Sequence, residues 1–245
     1  MKAAVLSLVA LLLAAADQPL PGYLDGKPVP DLLQVLPAPP RVGSPRAADD
    51  LATSRATRAL QGSDRWRLAS DDVTDDRFTV FSCALGMKLD ARSAPKLATL
   101  FARMNDGGMV GGAKSGFAVR RPYLDQPGAI CEAKTDHLAR NGDYPSGHTS
   151  TGWSTALVLA ELVPERATAI LRRGRIYGES RFICGSHSRS AVEAGFLAGS
   201  SLVAAWHSTP EFRADAGAAR AELAALRGVA SSPNPDRCSR EAKAD

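Results

Sequence analysis

Three short clusters contain residues whose types and spacing could do chemistry. "KSGFAVRRP" carries Lys114 and Arg121, "YPSGHTS" carries Ser146, Gly147 and His148, and "GESRFICGSHS" carries Arg181 and His187. His187 lies between Arg181 and Arg189 in a chain with only 4 histidines, a charge environment that disfavours imidazolium. A bound anion would resolve that conflict. Lys114 and Arg121 are seven positions apart, about two helical turns, which predicts two cations on one helix face before Pro122 turns the chain out. Pro145 and Gly147 predict a tight turn, with Ser146 capping the helix that follows. A helix start offers free N–H groups to an anion, and His148 falls in its first turn. Each cluster alone has a plainer explanation: a solvated basic face, a capped helix with an incidental histidine, a structural Arg–His pair. Together they supply three cations, a helix N-terminus and two imidazoles, the parts of an oxyanion site.

Helices must position these groups. Runs with apolar residues three and four apart include "SPRAADDLATSRATRAL", "RFTVFSCALGMKLD", "SAPKLATLFARMND", "TSTGWSTALVLAELVP", "ERATAILRRGRIYGESRFICG", "AVEAGFLAGSSLVAAWH" and "PEFRADAGAARAELAAL". Stops are expected at Gly107-Gly108, at Pro164 and near Gly185. Alternating strand patterns are nearly absent. The expected fold is an all-α helical bundle forming a single domain over residues 17–245, with no repeat or linker. Residues 17–45 are rich in Pro and Gly and predict an extended strap; residues 228–245 predict a polar tail.

Residues 1–16 have the organisation of a secretory signal: Lys2, an apolar stretch from Ala3 to Leu13, and Ala14-Ala15-Ala16 as a cleavage site. That stretch falls short of the roughly 20 apolar residues that span a bilayer, and no later segment is long enough. The expectation is an exported, periplasmic protein without a membrane span. Export makes the 4 cysteines informative: Cys83, Cys131, Cys184 and Cys238 allow two disulfides in three connectivities, with sequence neighbours (83 with 131, 184 with 238) preferred. The net charge of +4 suits anionic ligands, but no Lys/Arg stripe with interleaved aromatics points to a nucleic acid polymer. His137 and His207 are expected at the surface or an interface, and Trp66, Trp153 and Trp206 in the core. Asp136-His137, Asp143 and His148 can be drawn as a metal site, but H-E-x-x-H and comparable ligand spacings are lacking, so no metal is expected.

The order K-x6-RP, then PSGH, then SR-x5-H resembles the type-2 phosphatidic acid phosphatase (PAP2) superfamily, which includes vanadium haloperoxidases. Length, leader and the "GESRFICGSH" wording are most similar to its bacterial class A non-specific acid phosphatases. "FSCALG" and "LPAPPRVGS" extend the likeness over most of the mature chain. The resemblance implies an all-helical fold and a metal-independent, cofactor-free phosphomonoesterase acting through a phosphohistidine. It implies His187 as nucleophile, His148 as general acid and then base, and Lys114, Arg121, Ser146, Gly147 and Arg181 as the phosphate cradle. Small-molecule phosphate monoesters would be the substrates, with phosphate or vanadate as inhibitors; a homo-oligomer stays open. The pattern departs at two places. The family usually has Asp four residues after the nucleophile, where this chain has Ala191, and an aromatic-Pro pair after the histidine, where it has Ser188-Arg189. Those departures keep a non-catalytic phosphate-binding relative in play, beside a vanadate-dependent haloperoxidase. Without Asp at 191, Ser190 or a backbone carbonyl is the expected partner of the imidazole Nδ1–H.

Overall fold

The computed structural model describes residues 20–244, which form twelve α-helices and no strand. The expected leader lies outside the described residues, as do positions 17–19 of the strap. The helices are α1 (Leu32–Val35), α2 (Pro45–Arg58), α3 (Asp64–Asp71), α4 (Arg77–Leu85), α5 (Pro95–Arg103), α6 (Met109–Phe117), α7 (Asp136–Arg140), α8 (Gly147–Leu162), α9 (Ala167–Cys184), α10 (Arg189–His207), α11 (Pro210–Leu226) and α12 (Pro235–Ala242). No helix among the described residues is long and apolar enough to cross a membrane.

Helix α8 is central. It packs against α9 on one side and α10 on another, with α11 also in contact, and α11 in turn packs on α5. Small residues set these close approaches. A Cβ on Gly195 of α10 would sit 2.9 Å from the Ser146 carbonyl oxygen, and closer still to the Thr149 Cβ, so only glycine lets α10 reach the start of α8. Leu159, Leu162, Ile170, Ala198, Leu202, Phe212 and Leu223 fill the space between the helices.

The strap is less bare than its composition predicts. It contains α1, capped by Asp31, and it buries Tyr23, Leu24, Leu32 and Leu36 in the main core. The polar tail contains a helix of its own. Asn234 caps α12 and Pro235 opens it, and Cys238 forms a disulfide with Cys83. The connectivity is therefore 83–238, not the sequence-neighbour pairing, and Cys131 and Cys184 are free. Packing of α12 on α3 and α4 brings positions 155 apart in sequence together, which local spacing cannot reveal.

Candidate active site

The Ser146 side chain accepts the backbone N–H of Thr149, so α8 starts as its sequence predicts, with Gly147 and His148 as its first two residues. The Ser146 backbone N–H donates to the Ala191 carbonyl 2.9 Å away, fixing that start against α10. Helix α9 ends at Gly185, whose φ of 83° lies in the left-handed region glycine favours. Arg58 of α2 donates to the carbonyls of Phe182, Ile183 and Ala129, holding this turn in place. Ser188 then caps α10, leaving His187 between two helices.

The first cluster differs from expectation. Helix α6 ends at Phe117 and Ala118 takes a φ of 52°, so Arg121 is not on the helix that carries Lys114. The chain leaves the helix before Pro122 because residues beyond Ala118 bind the segment ahead of α8. The Asp143 N–H donates to the Val119 carbonyl at 2.8 Å, and Arg121 Nε to the Asn141 carbonyl at 2.6 Å. Both cations still reach one place. Lys114, Arg121, Gly147, His148, Arg181 and His187 all line a cavity of about 360 Å³, and Glu132 adds a carboxylate to its wall. Ser146 is fully buried and is not part of that lining; its side chain caps the start of α8.

His187 is 2 % exposed. Its Nε2 lies 3.0 Å from Arg121 Nη1, and its Nδ1 lies 2.8 Å from both Oδ1 and the backbone oxygen of Asp143. A guanidinium can only donate, so Nε2 must present its lone pair; the proton is therefore assigned to Nδ1, which donates to Asp143. Burial holds the imidazole well below its ordinary pKa, reinforced by Arg121, Lys114 and Arg181. Arg189 is exposed and pairs with Asp49 and Glu193 instead. The flanking charge that keeps His187 neutral comes from Arg181 and the first cluster.

Arg181 is completely buried. Its Nη2 donates to Glu132, which also accepts from Ser186 Oγ, while Nε and Nη1 find no partner among the described residues. Buried guanidinium donors without acceptors are costly and call for an anion. Lys114 donates to the Gly142 carbonyl, and burial together with Arg121 pulls its pKa down to about 7. His148 Nε2 lies 3.2 Å from the Val73 carbonyl and 3.4 Å from Asp75 Oδ1. Burial and Arg181 lower its pKa, with Asp75 opposing. Gly147 and His148 also edge a second cavity of about 630 Å³, lined by Asp75, Asp76, Phe78, Phe101 and Trp206 among others. His148 thus stands where the two cavities meet.

Asp143 and Glu132 are the members sequence reasoning missed as site residues. Asp143 adjoins the YPSGH motif, but nothing local connects it with a histidine 44 positions later. Ser190, expected as a local acceptor, bonds Asp50 instead. His137 is exposed at the cavity rim, His207 pairs with Glu161, and Trp206 is a core residue that also borders the larger cavity. Asp136 is exposed beside Arg140.

Residues 95–215 match the PAP2 superfamily model, which spans every one of these clusters. An acid phosphatase of Zymomonas mobilis is 42 % identical over 220 residues, 87 % of this chain and 83 % of its own. The chain belongs to the PAP2 superfamily. A non-specific acid phosphatase of Providencia stuartii is 38 % identical over 84 % of this chain and 86 % of its own, and one of Salmonella typhimurium is 33 % identical over 77 % and 78 %. The all-helical architecture agrees with the PAP2 fold.

Proposed function

We propose that this PAP2 protein is a metal-independent acid phosphatase that hydrolyses small phosphate monoesters through a phosphohistidine. The coarse part, phosphoric monoester hydrolysis, follows from family membership and from the similar proteins named acid phosphatase. The observation that carries the phosphohistidine reading is the state of His187: a neutral imidazole whose Nδ1–H is held by Asp143 and whose Nε2 accepts from Arg121, in a cavity that Lys114 and Arg181 also line.

The ester phosphoryl group enters between Arg121 and His187, taking the free Nε and Nη1 of Arg181, the Lys114 ammonium and the amides at the start of α8. Nε2 attacks phosphorus and the P–O bond to the alcohol breaks. His148 gives the departing oxygen its proton, then takes one from the water that attacks the phosphohistidine, releasing inorganic phosphate and regenerating both imidazoles. Phosphoryl transfer demands positioning and charge stabilisation above all, which guanidinium groups and amides supply. The alcohol lies toward the larger cavity, on the His148 side. Phosphate and vanadate compete for the same cradle. We place the reaction in the periplasm, an oxidising compartment consistent with the Cys83–Cys238 bond.

Phosphate release from an aryl phosphate, followed with and without chelator, tests this reading. The wild type should turn over equally in both, and acid-sensitive phosphate should be trapped on the protein but not on the His187→Ala variant. Activity abolished by chelator and restored by a divalent ion would overturn metal independence; phosphate trapped on His187→Ala would overturn the nucleophile.

A further inference from the structure

We propose that Asp143 is the positioning residue of the nucleophile, a carboxylate that reaches His187 from the segment before α8 and does there what Asp four residues after the histidine does in the family pattern. The inference rests on the proposed function and deepens it.

The need comes from the chemistry at Nε2. When Nε2 bonds phosphorus with the Nδ1 proton still in place, the ring becomes cationic. It then requires an acceptor that fixes its plane and a negative charge that stabilises it. Ala191 offers neither. Its side chain is fully buried, its N–H donates to Ser188 Oγ at 3.2 Å, and its carbonyl accepts from Ser146. Asp143 offers both, with Oδ1 and the backbone oxygen each 2.8 Å from Nδ1. The carboxylate is itself held. Oδ2 accepts from Ser188 Oγ at 2.6 Å, and the Ser188 N–H lies 3.2 Å from Oδ1. Ser188 Oγ therefore does two jobs, capping α10 through the Ala191 N–H and anchoring Asp143. Both departures from the family pattern belong to one arrangement: Ser188 replaces an aromatic residue because Asp143 needs a donor there, and position 191 can be alanine because the carboxylate arrives from elsewhere.

A buried carboxylate is costly, and a backbone carbonyl alone would fix the tautomer. What the carboxylate adds is charge. The expected loss on removing it is accordingly smaller than the ~10⁴-fold seen where an orienting aspartate also determines the tautomer.

Asp143→Asn keeps size and shape and removes the charge. We expect kcat for an aryl phosphate to fall by about 10- to 100-fold while KM and inhibition by inorganic phosphate stay within about threefold, because the cradle is untouched. Imidazole ¹⁵N shifts of the wild-type protein at neutral pH should show His187 protonated at Nδ1 and bare at Nε2, with a downfield Nδ1 proton that moves upfield in the variant. This measurement on the wild type stands even if the variant fails to fold. A kcat within twofold of wild type, an unequal loss falling on KM, or an Nε2-protonated His187 would overturn the proposal. A wild type without phosphatase activity would sink the proposed function, and the upfield move of the Nδ1 proton in Asp143→Asn would still decide whether the carboxylate holds the ring.

Discussion

Helix α9 carries two buried arginines eight positions apart that live in opposite electrical surroundings. Arg173 is fully partnered. Its guanidinium donates to both oxygens of Asp72 and to the Val80 carbonyl and pairs with Glu241, and Arg237 bridges the same two carboxylates. Ser180 Oγ also donates to Asp72, and Arg65 donates to Ser180 at the edge of the set, with Glu179 as a further nearby anion. Around Arg181 the balance fails: Lys114, Arg121 and Arg181 face Glu132 and Asp143, and Asp143 is committed to His187. Burial is alike in the two places, so burial does not mark function. The surplus of positive charge, and the two Arg181 nitrogens without a partner among the described residues, are what set the proposed site apart.

The sharpest way to break this comparison is to remove each arginine in turn, keeping chain length with methionine. Arg181→Met should lower kcat/KM by about 10²- to 10³-fold, the loss typical of removing a donor to developing charge, while the melting temperature shifts little because repulsion within the cradle is relieved. Arg173→Met should do the reverse. It removes the main partner of Asp72 and Glu241, leaving Arg237 and the more distant Arg65, and costs about 3–5 kcal/mol, or about 10 °C in melting temperature, while the folded fraction retains turnover within a few-fold. Kinetics and thermal melts of both variants check this; a loss of turnover in Arg173→Met that matches Arg181→Met would erase the distinction.

A substrate-dependent effect of similar size separates the two histidines. His148→Ala should lower kcat by about 10²- to 10⁴-fold for alkyl phosphates, whose alkoxide needs a proton, and by much less for aryl phosphates with acidic leaving groups. Equal losses on both substrates would mean that His148 serves the cradle and not the leaving group.

The residues that the fold gathers around one cavity stood out in the sequence because they occur in three compact motifs, and α8 to α11 were legible because long apolar periodicities end at Pro or Gly. Helix α11 occupies the same residues as its sequence pattern, Pro210–Leu226. What stayed hidden depends on pairings distant in sequence. Helix α6 stops at Phe117 because Val119 and Arg121 find partners around Asn141 and Asp143, a preference that periodicity around Arg121 cannot contain. Cys83 meets Cys238 only once α12 has packed on α3 and α4, which brings together positions 155 apart in sequence. The same holds for Asp143: a lone carboxylate in a loop looks solvated until the chain brings a histidine to it.

The smallest predicted effect lies in the pH profile, and it tests whether the charge surplus itself limits catalysis. Burial and the adjacent Arg121 lower the Lys114 pKa to about 7, so in the ligand-free protein its charge is present below that value and lost as pH rises through it. Burial raises Asp143 to about 6, despite opposing Ser188 hydrogen bonds and the nearby cations, so its negative charge is lost as pH falls through that value. For an aryl phosphate, which makes His148 protonation unimportant, kcat/KM should therefore decline on the alkaline side from about pH 7, approaching tenfold per unit, since it reports the free enzyme. Saturating substrate places a dianion beside Lys114 and raises its pKa, so kcat should hold to higher pH. Lys114→Arg keeps the positive charge at every accessible pH, because guanidinium does not deprotonate in this range. Its kcat/KM should be lower at pH 6 by a few-fold, from altered geometry, yet stay level between pH 7 and 9. An alkaline limb that persists unchanged in Lys114→Arg would assign that titration to another group and leave the lysine a purely geometric role.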